Sequence, residues 1–254
     1  MRSSLFSRAR MMSAAAVIAA GATCGPLALS ATAAPSAPAG NPLVRLTADQ
    51  IAKKAATDLK AAASFHYHGS GKASGQTVSI SMSVTHQGCT GWIGDGRNGG
   101  FAMLAIGKTA WMQPNDKFWE YAGVPASQLS TVHGKWLEIT GTASNSLSAG
   151  FAPFCNAGKL VSSLAPQLTG LVKGKTIKIS GHPALQLRNG SGRESIYVSI
   201  SSKPEILRIS DQGTVNFSAY GARVTLTPPP TSDVIKLPGA SSRAHSLPHL
   251  LRGM

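Results

Sequence analysis

Charge is scarce in this chain, and acidic charge scarcest of all. Among 254 residues there are 10 Asp or Glu against 24 Lys or Arg, and charged residues total 13%, about half of what a globular protein usually carries. Acids so few and so scattered offer no ready carboxylate pair for glycoside hydrolysis. Aromatics are 6%, and the basic residues are dispersed without a basic–aromatic stacking platform, so no nucleic-acid partner is expected. Beyond residue 34 no apolar run reaches the ~18 residues of a membrane-spanning helix, which excludes a polytopic membrane protein. A hydrophobic content of 43% excludes a disordered, charge-rich tail. The length allows one large domain or two small ones.

Catalytic signatures are also missing. There is no G-x-S-x-G elbow, H-E-x-x-H helix, P-loop or Rossmann fingerprint. Gly94-Asp95-Gly96-Arg97-Asn98-Gly99-Gly100 is glycine-rich but joins two strand-like runs and opens no helix, so it reads as a hairpin turn. His66 and His68 have a spacing compatible with metal chelation. Opposite Phe65 and Tyr67, however, they read more simply as an exposed polar strand face. His182 precedes Pro183 in a turn, and His245 and His249 fall in the C-terminal tail. No catalytic residue, metal or cofactor is assigned, and a non-enzymatic protein is expected.

The N-terminus reads as an address. Arg2, Arg8 and Arg10 precede an apolar run from Met11 to Ala22, followed by small residues through Ala34. This is a signal-peptide pattern, with cleavage expected after Ala33 and export to the medium or the outer face of the envelope. Lipidation at Cys24 is disfavoured, because Gly21 and Thr23 make a poor lipobox. Removing residues 1–33 takes away three arginines and no acid, leaving +11 of the original +14. It also leaves Cys89 and Cys155 as a pair, expected to form a structural disulfide rather than two buried thiols.

Residues 34–44 form a Pro/Ala/Gly tether, and residues 238–254 an irregular tail without an assigned role. Thr47-Ala48-Asp49-Gln50 is a capping box opening a helix to about Ala63, with Ile51, Ala55, Leu59 and Ala62 or Ala63 as its apolar stripe. The period then changes from 3.6 to 2. Val78, Ile80, Met82 and Val84 alternate with Ser79, Ser81, Ser83 and Thr85, and similar alternation recurs through Val224/Leu226. A second helix is expected near Asn156–Leu164, up to Pro166. The expected fold is α+β, a single antiparallel, strongly curved sheet of about 10–12 strands forming a half-barrel, with helices on its concave face. It spans residues 45–237 without an internal repeat.

The order of these elements resembles the LolA-like superfamily, and within it the actinobacterial LppX/LprA/LprF/LprG lipoprotein group. The likeness is carried by Phe65-His66-Tyr67-His68 after the capped helix and by Lys108-Thr109-Ala110-Trp111-Met112-Gln113 leading into Phe118-Trp119. It continues in Gly134-Lys135-Trp136-Leu137-Glu138-Ile139, in Phe154-Cys155-Asn156, and in the blocks Pro204–Ile209 and Val215–Gly221. The resemblance implies a half-barrel with lipid acyl chains bound between sheet and helices. The poor lipobox at Cys24 and the basic tail are departures from the group.

The leading expectation is therefore a monomeric, non-catalytic secreted or envelope protein that binds lipid or lipoprotein acyl chains. Its expected cavity lining, from alternation alone, is Val78, Ile80, Met82, Val84, Met103, Ile177, Ile179, Leu185, Leu187, Val198 and Phe217. Trp111, Trp119 and Trp136 fit a cavity mouth or plain core packing equally well. The net positive charge suits an anionic membrane surface or an acidic cell-wall polymer. The alternative is an envelope sensor or protein-interaction domain on the same fold, with a filled core.

Overall fold

The computed structural model describes residue 43 and residues 45–73, 75–139 and 154–236. The expected signal peptide, Cys24, nearly all of the tether and the tail lie outside these residues. Leu43, inside the expected tether, is buried in the core.

Helix α1 (Ala48–Ala61) begins where the capping box places it. Thr47 Oγ1 accepts from the Gln50 amide at 3.2 Å, and Gln50 Oε1 accepts from the Thr47 amide at 2.8 Å. Its buried face is Ala48, Ile51, Ala52, Ala55, Ala56 and Leu59. Four alanines in that face let the helix backbone lie close to the sheet beneath it. Among the described residues no helix is long and apolar enough to cross a membrane.

Twelve strands form one sheet. The first six are β1 (Ser64–Ala73), β2 (Gln76–Thr85), β3 (Gly88–Asp95), β4 (Gly99–Ile106), β5 (Thr109–Pro114) and β6 (Trp136–Ile139). The rest are β7 (Val172–Ile179), β8 (His182–Arg188), β9 (Ser195–Ser199), β10 (Ile206–Ser210), β11 (Gly213–Ser218) and β12 (Val234–Lys236). Short helices α2 (Asp116–Tyr121) and α3 (Leu129–Val132) connect β5 to β6, and α4 (Ala157–Leu164) precedes β7. The Gly94–Gly100 segment is the expected hairpin turn, held by Asp95 Oδ1, which accepts from the amides of Arg97 and Asn98.

The order is β12-β6-β5-β4-β3-β2-β1-β11-β10-β9-β8-β7, the single curved sheet expected, but its strands do not run across it in chain order. Two meanders, β1–β6 and β7–β11, are zipped together where β1 pairs with β11, and the sheet stays open at β12 and β7. It is not wholly antiparallel either, because β12 runs parallel to β6. β11 ends at Ser218, and the expected Val224/Leu226 alternation forms no strand. The chain runs outside the sheet through Pro228-Pro229-Pro230, which donate no amide to a ladder, and re-enters at the far edge as β12.

Register places one row of side chains across eight of these strands: Phe217, Tyr67, Met82, Gly91, Met103, Met112, Leu137 and Ile235. Directly opposite residues share a face, so this row forms one side of the core, while α1 itself lies against β7, β9, β10 and α4. Gly91 is required within it. A Cβ there would lie 2.5 Å from Met82 Sδ and 2.1 Å from the Ser81 carbonyl oxygen, so the Met82 thioether occupies the space a side chain would need. Flexible methionines fill such irregular gaps well.

A candidate binding pocket at the rim of the sheet

The next row toward the β2–β3 turn reads Phe65, Val84, Cys89, Ala105, Ala110 and Ile139. Where the neighbouring row has Met82, Met103 and Met112, this one has Val84, Ala105 and Ala110. The floor therefore drops, and a pocket of about 690 Å³ opens there.

Four elements wall it. The end of α1 gives Lys60 and Ala62. The β2–β3 turn gives Thr85, His86, Gln87 and Gly88, and the β4–β5 turn gives Gly107, Lys108 and Thr109. Cys155, Asn156, Ala157 and Gly158 at the start of α4 close the remaining side. Thr85 organises its turn, its Oγ1 accepting from the amides of Gln87 at 3.0 Å and Gly88 at 3.2 Å. The two turns are tied by the Gly107 amide, which donates to the Gln87 carbonyl at 3.0 Å. Gly107 has φ of 59°, a conformation that favours glycine at this tight turn.

The α4 wall is fastened twice. Cys89 and Cys155 form the expected disulfide, with Cα atoms 5.1 Å apart. Tyr67 Oη donates to the Phe154 carbonyl at 2.8 Å, and burial raises the pKa of this tyrosine. Asn156 caps α4 by accepting from the Lys159 amide at 2.9 Å.

Of the expected lining residues, only Val84 faces this pocket. Met82, Met103, Leu185, Leu187, Val198 and Phe217 lie in the main core, each at most 8% exposed, with Val78 and Ile80 packed on its margin. They meet protein atoms rather than open space. Ile177 and Ile179 belong to a different cluster, with Ala184, Leu207 and Tyr197. Ile177 lies directly opposite Ala184, whereas the core residues Leu185 and Leu187 lie opposite Thr176 and Lys173. The apolar side of β7 thus faces away from α1. Alternation shows which residues share a face; the paired strand decides which face it is.

None of the three candidate tryptophans lines the pocket. Trp111, opposite Leu104 and Glu138, and Trp136, opposite Val234, are on the outer side. Trp119 packs against the main core, its Nε1 without an acceptor among the described residues. His66 sits on the outer face between Ser81 and Ser83, its ring nitrogens 3.3 Å and 3.0 Å from their hydroxyls. Burial, and secondarily His68, lower its pKa. Among the described residues no group of three metal-ligating side chains comes together.

Reading the sequence alone misses Phe65, Ala105 and Ala110, although a signal exists. Met103/Ala105 and Ala110/Met112 are mirror images about the Gly107-Lys108 turn, so the two small residues must face each other beside that turn.

No family model matches the chain, and no curated protein matches it. Among solved structures it is similar to LprF from Mycobacterium bovis, at 13% identity over 72% of this chain and 96% of that one, with a TM-score of 0.46. It is also similar to the lipoprotein LppX from Mycobacterium tuberculosis, at 12% identity over 70% of this chain and 97% of that one, with a TM-score of 0.44. An uncharacterized conserved protein from Thermus thermophilus follows at 11% identity, covering 75% and 99% of the two chains, with a TM-score of 0.37. LprF and LppX are two of the lipoproteins that the sequence resembles.

Proposed function

We propose that this is an exported, non-catalytic protein of the cell envelope or its exterior that binds the acyl chain of a lipid or lipoprotein in the rim pocket. The observation that carries the reading is the pocket, about 690 Å³ with a floor of Phe65, Val84, Ala105 and Ala110. Its volume falls within the roughly 300–1,000 Å³ of small-ligand sites. Each methylene taken from water into such a site contributes about 0.8 kcal/mol.

Native mass spectrometry of the secreted protein, repeated after denaturation, tests this. A lipid adduct lost on denaturation, and missing from an Ala105→Trp variant that fills the pocket, supports the reading. A native mass without adduct, together with no saturable binding of long-chain probes, would sink it. The second reading is a protein-interaction domain with a filled core. It is favoured by the complete burial of Met82, Met103, Leu187 and Val198, and capture of one defined envelope protein by delipidated material is its expected result.

A further inference from the structure

Resting on the acyl-chain reading, we infer that the rim pocket selects amphiphiles with an anionic headgroup, a carboxylate or a phosphate, held at its mouth by Lys60 and Lys108. The two lysines come from different elements, the last turn of α1 and the β4–β5 turn, and both are exposed and line the one pocket. His86 reaches the same mouth from the β2–β3 turn, and no Asp or Glu lines the pocket.

Elsewhere in the chain Lys54 pairs with Asp58 at 3.2 Å and Lys135 with Asp233 at 3.2 Å. Lys60 and Lys108 have no such acidic partner among the described residues. Below the cations the wall turns apolar, through Ala62 and Ala157 to Phe65 and Val84. Positive charge above an apolar floor, with no acid to neutralise it, complements a molecule with an anionic end and a hydrocarbon end. A charge-assisted hydrogen bond from a lysine is about twice as strong as a neutral one, so the headgroup discriminates while the chain supplies affinity.

The test is titration of the full mature chain at low salt with oleate, oleyl phosphate, oleyl alcohol and inorganic phosphate. Oleate and oleyl phosphate are expected to bind at least tenfold more tightly than oleyl alcohol. A Lys60→Gln/Lys108→Gln double variant should erase that difference. Its melting temperature should not move, because both side chains are exposed. Equal binding of acid and alcohol, or acid binding indifferent to the double variant, overturns the headgroup assignment while leaving the acyl pocket standing. Inorganic phosphate binding as tightly as oleate assigns the lysines to a free anion and overturns it as well. Failure of every oleyl probe overturns both readings together.

Discussion

The phenolic hydroxyl of Tyr67 donates to the carbonyl of Phe154 at 2.8 Å, bridging 87 positions of sequence. Tyr67 lies in the core row on β1 and is 3% exposed, and Phe154 stands immediately before the cysteine bonded to β3. This contact and the disulfide together seat the start of α4 over the rim pocket. Tyr67→Phe removes the donor and leaves a half-buried carbonyl unsatisfied, which costs about 1–3 kcal/mol. Urea denaturation should show a lower midpoint and an unchanged slope. Persistence of wild-type stability would mean that the bond contributes nothing.

Reducing the disulfide, or replacing both cysteines by alanine, should lower stability by on the order of 4 kcal/mol, from the loop-closure entropy of 66 residues. The loss should be non-additive with Tyr67→Phe, because both act on the same short segment. A double-mutant cycle checks this, and strict additivity would show that the two fastenings are independent.

The outer face gives a pH dependence of defined sign. Burial lowers the pKa of His66 from the ordinary 6.5, so the unfolded chain binds the proton more readily than the folded one. The stabilising contribution is complete above about 6.5 and declines as pH falls through the window below it. His66→Gln should flatten that part of the profile in chemical denaturation at a series of pH values. A slope surviving the substitution would assign it to another group.

Gly91→Ala should destabilise the protein by about 1–3 kcal/mol, the usual range for overpacking a filled core. The added methyl meets Met82 Sδ and the rigid backbone of β2. Against a Met82→Ala background the same substitution should cost less than in the parent but still destabilise, since the Ser81 carbonyl remains in the way. Thermal melts of the single and double variants decide this.

Met82→Asp is not a clean probe of lipid binding, because Met82 is fully buried and an unpaired charge there unfolds the domain. Ala105→Trp is the better one. It lies on a half-buried pocket wall and is expected to abolish binding of an oleyl probe, with a melting temperature within a few degrees of the parent. Undiminished binding by the folded variant would move the site elsewhere.

Local rules made much of the architecture legible. The capping box set the start of α1, Asn156 and Pro166 bracketed α4, and the Val78–Thr85 alternation identified β2 and its inner face. Each depends on interactions within a few residues. The Cys89–Cys155 pair followed from a count of cysteines. Less legible were the strand order, the parallel β12 and the outward turn of β7, all settled by partners distant in sequence.

The sequence by itself determined which side chains share a face, because the strand repeat is two residues and the helix repeat 3.6. It thereby determined that one sheet face would be apolar and need cover. Only the tertiary structure decided where that cover is complete. Interstrand register sets Tyr67, Met82, Met103 and Met112 in one row of the core, and Val84, Cys89, Ala105 and Ala110 side by side beyond them. Small residues far apart in the chain leave a cavity only when register makes them neighbours, and periodicity within a strand carries no information about its neighbour's register.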